Sequence, residues 1–180
     1  MSESHWMSAS APYTRPRPEG DRDAWTEEAA RRGHTGTNQL REVAEVRPPS
    51  TVAEFFDLRP GDVAVVRRRL VLLDGRPSEL ADSYYPAALA RGTRLAEPRK
   101  IPGGAITLLA QLGHHPGDVE ERVRARPATE DEQHELGIGE NQWVLILTRL
   151  LRSTEGVPAE ATVMTMIADD RELRYKMIIE

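Results

Sequence analysis

At 180 residues the chain has room for one ordinary domain and a tail, and the part from about Val43 onward, where the hydrophobic residues concentrate, is long enough to bury a core. A formal charge of −5 argues against non-specific binding of nucleic acid, and the absence of cysteine excludes disulfides, thiolate metal sites and cysteine nucleophiles. No apolar run approaches the ~20 residues of a membrane span and no signal peptide is visible, so a cytoplasmic protein without membrane contact is expected.

Residues 1 to about 20 carry Ser, Pro, Arg and Gly without a hydrophobic period and read as tail or linker. Asp23 to Gly33 reads as a short helix, with an Asp cap, early acids, late arginines and a Gly stop. Gln39 to Val46 alternates like a strand, and Ser50 to Leu58 reads as a second short helix ended by Pro60-Gly61. A hairpin fills 63–73 and 77–85, and a short helix follows Tyr85-Pro86. Ile101 to Gly113 is a helix opened by Gly103-Gly104, and Val119 to Ala125 alternates as an edge strand does. Thr129 and Glu132 make a capping box for a helix ending at Leu136-Gly137. A second hairpin and a strand over Leu173–Ile179 complete the chain. Helices and strands mix without strict alternation, which gives an α+β fold: a mainly antiparallel sheet with flanking helices. Residues 1–40 are then a tail or linker with one short helix, and 41–180 the domain.

The two hairpins are copies. Val63, Arg68, Leu70, Gly75, Pro77 and Glu79 return without a gap as Val144, Arg149, Leu151, Gly156, Pro158 and Glu160, 81 positions later. A duplicated unit with approximate two-fold symmetry follows, and clefts form where such halves meet. With Glu155-Gly156 as a two-residue turn, Trp143, Leu145, Leu147, Arg149 and Leu151 share a face with Glu160, Thr162, Met164 and Met166. An Arg among Leu and Met needs an acid or an anionic ligand, and Glu160 on the diagonal is its candidate partner, as an internal ion pair or as a ligand-facing one. The same register, with Asp74-Gly75 as the turn, puts Arg68 with Glu79 on one face and Arg67 and Arg69 on the other, with Asp82 opposite Arg67. At least one of the three consecutive arginines is expected to meet an acid or an anion. Gly103-Gly104 at a helix start is a weak anion signal that also fits a plain turn, and Arg126 adds a positive group. The histidines build no site by spacing. Zinc, P-loop, nucleophile-elbow and Rossmann patterns are missing, so no catalytic residue, metal or cofactor is expected.

In order, Leu58-Arg-Pro-Gly61, Arg68-Arg69, Asp74-Gly75-Arg-Pro77, Tyr84-Tyr-Pro86, Gly92-Thr93 and Ile101-Pro-Gly-Gly104 to Leu112-Gly113 resemble the first half of a UTRA domain. Arg124-Ala-Arg-Pro-Ala-Thr129, Glu132, Leu136-Gly137, Arg149, Gly156-Val-Pro158-Ala-Glu160 and Arg171 to Tyr175 resemble its second half. The resemblance covers roughly 40–180. It implies the chorismate-lyase fold and the effector-binding, dimerising half of a GntR-type repressor of the HutC subfamily. It places Arg69, Tyr84, Gly103, Gly104, Arg126, Arg149 and Glu160 around a small-molecule effector. Family members that bind amino-sugar phosphates carry Arg-x-Arg on the first hairpin and a hydroxyl residue at the Gly-rich helix start. Here the matching places are Arg69-Leu-Val71 and Gly104-Ala-Ile106, so an anionic or polar effector other than a sugar phosphate is implied. Residues 1–40 do not accommodate a winged helix, so DNA contact is expected only through a domain not present here. The rival readings are a chorismate-lyase-like enzyme on the same fold and a dimerisation module without a ligand.

Overall fold

The computed structural model of the chain describes residues 6–18 and 21–176; His5 and the 177–179 end of the expected last strand lie outside them. Six strands form one antiparallel sheet: β2 (Gly36–Val46), β3 (Ala64–Leu73), β4 (Arg76–Pro86), β5 (Pro116–Pro127), β6 (Trp143–Ser153) and β7 (Pro158–Ile167). Their spatial order is β2-β3-β4-β7-β6-β5. Two of the helices are fixed by side-chain caps. In α1 (Ala24–Arg31), Asp23 accepts the Thr26 amide at 2.9 Å. In α5 (Glu130–Leu136), Thr129 and Glu132 form the full capping box, and Gly137 closes the helix in the left-handed conformation at φ 67°. The short helices α2 (Ser50–Phe55), α3 (Ala87–Ala90) and α4 (Ala105–Gln111) complete the set. Among the described residues no helix is long and apolar enough to cross a membrane.

The duplication is larger than the hairpin. The order α1-β2-α2-β3-β4 recurs as α4-β5-α5-β6-β7, and the two halves meet at the β4–β7 pair in the middle of the sheet. Loop details repeat as well. His34 N to Ala29 O (2.9 Å) returns as His114 N to Leu109 O (2.8 Å), and Asp74 N to Thr35 O as Thr154 N to His115 O, both at 2.8 Å. Helices α2 and α5 cover one face of the sheet, where Val52, Phe55, Val66 and Leu150 pack, and Leu136, Val144 and Ile146 beside them. The other face carries α1, α3 and α4 over Tyr85, Leu109 and Leu151, and over Trp25, Val71 and Met166. Residues from the stretch expected as tail join this second face. Trp6–Ser8 (β1) pairs in parallel with Arg171–Leu173 (β8), and a 3-10 turn spans Ala11–Tyr13.

The registers correct the sequence reading of the arginines. Both returning strands carry a bulge at the same place, Ser78 and Ala159, the middle of each Pro-x-Glu. In the first hairpin the turn is the expected Asp74-Gly75, so the bulge shifts everything beyond it. Arg69 faces Ala81 and Arg68 faces Asp82, not Arg67 as expected. Arg68 therefore does not share a face with Glu79, and Arg69 does. In the second hairpin Ser153 N donates to Val157 O at 2.8 Å, making the loop one residue longer than expected. Longer loop and bulge cancel, so Leu151 opposes Glu160 as the two-residue turn had required.

Candidate functional site

A cavity of about 180 Å³ lies where the two halves meet, on the α1/α4 face of the sheet. The alternation of β3, β4, β6 and β7 sends Arg69, Ala81, Ser83, Arg149, Glu160 and Thr162 into it. Trp25, Val71, Leu147, Met164 and Met166 supply its apolar wall. Trp25 is fixed by donating its indole N–H to Leu72 O at 2.9 Å. Only a glycine fits beneath it, because a Cβ at Gly36 would lie 2.8 Å from that nitrogen and 2.7 Å from Ala29 Cβ. The segment 8–17 closes the remaining side. Ser10 Oγ donates to Glu121 at 2.9 Å, Tyr13 Oη to Glu28, and Arg17 N to Thr107 Oγ1 at 2.9 Å.

At the floor, one hydrogen-bond chain crosses the sheet. Arg69 Nη2 donates to Ser83 Oγ at 2.9 Å, Ser83 lies 2.9 Å from Thr162 Oγ1, and Thr162 donates to Glu160 Oε1 at 3.3 Å. Each hydroxyl has one proton, so the chain runs in one direction, from cation to carboxylate. Tyr85 Oη also donates to Glu160, at 2.6 Å; burial first, then the neighbouring carboxylate, raises the Tyr85 pKa, so it stays a donor. The pseudo-symmetry explains why the two duplicated glutamates differ. The β4–β7 register sets Glu79 opposite Met166 and, carried one residue past Tyr84–Ala161, sets Tyr85 opposite Glu160. Glu160 thus gains a hydroxyl where Glu79 meets a thioether. Burial raises the Glu79 carboxyl pKa, and its cation is Arg171 at 3.7 Å, which also donates to Ser8 and Ser78.

Of the expected site residues, Arg69, Gly103, Gly104, Arg149 and Glu160 come together here. The amide of Gly104 is already bound to Ile101 O at 3.0 Å, so the glycine pair acts as wall. Arg149 does not pair with Glu160. Its Nε donates to Glu121 at 2.7 Å, directly across the β5–β6 register, with both side chains at least nine-tenths buried. Tyr84 and Arg126 are elsewhere. Tyr84 points to the α2/α5 face, where its hydroxyl meets Asp82 at 3.4 Å and its pKa is pushed up to about 12, chiefly by burial. Arg126 forms a two-pronged ion pair with Glu132 at 2.7 and 2.6 Å, bracing the α5 cap. Of the three consecutive arginines, Arg67 meets no acid among the described residues but donates to four carbonyls, those of Arg94, Leu95, Glu97 and Arg99. The sequence reading missed Tyr85, Ser83 and the residues of segment 8–17. The parity of Tyr84-Tyr85 depends on the Ser78 bulge, and the segment carries no periodic signal.

The profile of the UTRA domain matches residues 31–171. The chain belongs to the UTRA domain family. Over 138 residues this UTRA domain is 28% identical to an uncharacterised HTH-type transcriptional regulator of Streptomyces coelicolor, a match of 75% of the chain and 51% of that protein. The chain thus spans about half the length of that curated relative. Among solved structures, a protein described as a GntR-family transcriptional regulator aligns with a TM-score of 0.81 at 23% identity, over 98% of this chain and 71% of that one. The effector domain of PhnF from Mycobacterium smegmatis aligns with a TM-score of 0.73 at 17% identity, over 92% of this chain and 99% of that one. These likenesses share the fold of the UTRA domain, with its six-stranded antiparallel sheet.

Proposed function

We propose that this UTRA domain is the effector-sensing and dimerising part of a GntR-type transcriptional repressor of the HutC subfamily. In this role a small polar or anionic molecule, other than a sugar phosphate, occupies the cavity between the two halves and biases how paired winged-helix domains meet DNA. The DNA contact belongs to a winged-helix domain outside the matched region. The observation that carries the reading is the cavity itself, which presents an arginine and a buried carboxylate at the seam of a duplicated sheet, in a chain of this family. Arg69 anchors an anionic group, and Glu160 accepts hydrogen bonds from a donor on the ligand. Arg149 supports the site through Glu121. Binding rather than catalysis is supported by tyrosine hydroxyls that are held protonated and by Glu79 and Glu121, each paired with an arginine. Dimerisation fits the free edge of β5, where Val119 and Val123 are 38% and 44% exposed.

The test is a thermal-shift screen against amino acids, aromatic acids, sugar phosphates and chorismate. A ligand that binds only the folded state, at ~100 times its Kd, adds about 2.7 kcal/mol of stability. A selective shift that Arg69→Ala abolishes, with the fold intact by circular dichroism, supports the assignment; a shift unchanged by Arg69→Ala removes it. Pyruvate released from chorismate would instead identify an enzyme.

A further inference from the structure

The charges around the cavity narrow the ligand class, an inference that rests on the sensor reading above. The cavity lining carries Arg15, Arg17, Arg69, Arg149 and Arg171 with Asp23, Glu79 and Glu160, and Glu121 stands behind Arg149. Most of these charges are already matched: Arg149 by Glu121 at 2.7 Å, Arg171 by Glu79 at 3.7 Å, Asp23 by Lys100 at 3.3 Å and Arg17 by Glu27. Arg15 is exposed to solvent, and of the groups removed from it Arg69 and Glu160 remain. Arg69 donates only to the Ser83 hydroxyl, and Glu160, 8% exposed, is held only by the hydroxyls of Tyr85 and Thr162. Among the described residues, neither has an ion-pair partner. A carboxylate has about four lone-pair positions, so Glu160 retains capacity for a further donor. A buried carboxylate without a cation is costly, and a ligand that brings one recovers that cost.

The two unmatched groups sit at opposite ends of the Ser83–Thr162 relay, with Met164 and Met166 beside it. A dianion would satisfy Arg69 while adding negative charge next to an unpaired Glu160. A cation alone would leave Arg69 unmatched. We infer that the cavity takes a small zwitterion of the amino-acid class with an apolar side chain. Its carboxylate meets Arg69, its ammonium meets Glu160, and its side chain lies on the methionine wall.

The test is a calorimetric and thermal-shift comparison on the whole chain, using leucine, methionine and phenylalanine. Each is paired with its N-acetyl derivative, which lacks the ammonium, and its amide, which lacks the carboxylate; glucose 6-phosphate, which has no amine, is the dianionic control. At least one free amino acid is expected to bind, and capping either end should weaken it about ten- to a hundred-fold, the worth of one charge-assisted contact. Glu160→Gln should erase the preference for the free amine, and Arg69→Gln the preference for the free carboxylate, which a merely structural role would not do. Equal binding of a capped derivative, or binding of the sugar phosphate in place of the amino acids, overturns the zwitterion and leaves the sensor cavity standing. If the amino acids fail while another metabolite binds through Arg69, the result is the same. Failure of every compound, here and in the wider screen, overturns both.

Discussion

Arg149→Met should be among the most damaging single changes in the sheet, and adding Glu121→Gln to it should return much of the loss. The two side chains meet at 2.7 Å and are 10% and 9% exposed. Removing one partner of a buried pair costs about 3–5 kcal/mol, because the other is left as an uncompensated charge. A domain of this kind has about 5–15 kcal/mol in total. With a urea slope of about 1–3 kcal/mol/M, the midpoint of Arg149→Met should fall by at least ~1 M. The double variant holds no stranded charge, so the cycle should give a coupling of about 2–3 kcal/mol. Acid offers an independent check. Burial by itself would raise the Glu121 carboxyl, but Arg149 and Ser10 outweigh it and hold it below the ordinary range. A lowered folded value gives stability that is present above the unfolded value of about 4.3 and is lost as pH falls through the folded one. The advantage of the wild type over Glu121→Gln should therefore shrink only below about pH 4. In Arg149→Met burial is opposed by hydroxyl hydrogen bonds alone, the carboxyl rises, and the deficit should narrow already on mild acidification. A loss under about 1 kcal/mol, or single losses that simply add, would refute the claim that Arg149 is neutralised within the protein.

Arg67→Met should cost about 3–5 kcal/mol by leaving four carbonyls without their donor, and should expose the 94–99 loop to trypsin. Unchanged cleavage would contradict the clamp. Gly117→Ala places a Cβ 2.5 Å from Ser153 O, a backbone atom that cannot swing away, and should lower Tm by several degrees, for a cost of about 1–3 kcal/mol. Tyr84→Phe and Arg126→Ala, both away from the cavity, should leave any ligand-induced shift intact, with Arg126→Ala losing no more than about 1 kcal/mol of stability. A lost shift in either would put the site on the wrong face.

Much of this was legible because the controlling signals are local. The Thr129–Glu132 box, the Asp23 cap and the glycine turns set helices and hairpins within a few residues, and the returning Gly-x-Pro-x-Glu exposed the duplication. Arg69 and Glu160 are each legible as ligand contacts through the family resemblance, but their surroundings are not. Whether Arg68 or Arg69 faces inward depends on one bulged residue, Ser78, which nothing local requires. In the second hairpin the same ignorance was harmless, since a longer loop compensated the bulge at Ala159. The sequence offers Arg149 the nearer carboxylate, Glu160, because hairpin partners are readable there. Glu121 reaches it only after β5 pairs with β6, a contact whose partners are separated by a helix and a loop. Tyr13 and Ser10 reach the cavity by long-range packing of a segment without hydrophobic period, which composition alone assigns to a linker.

The central claim, that the cavity between the halves is where a small molecule is sensed, is tested most directly by filling it. Ala81 is 2% exposed and its methyl lies on the cavity floor between Arg69 and Met164. Ala81→Leu puts three more carbons into that space; overpacking of about 1–3 kcal/mol is offset by about 0.8 kcal/mol for each carbon buried, so Tm should move only a few degrees. Ligand titrations of wild type and variant, followed by thermal shift with the first compound that stabilises the wild type, should show the response abolished in Ala81→Leu. An undiminished response in a folded variant would mean that the effector binds elsewhere on the molecule.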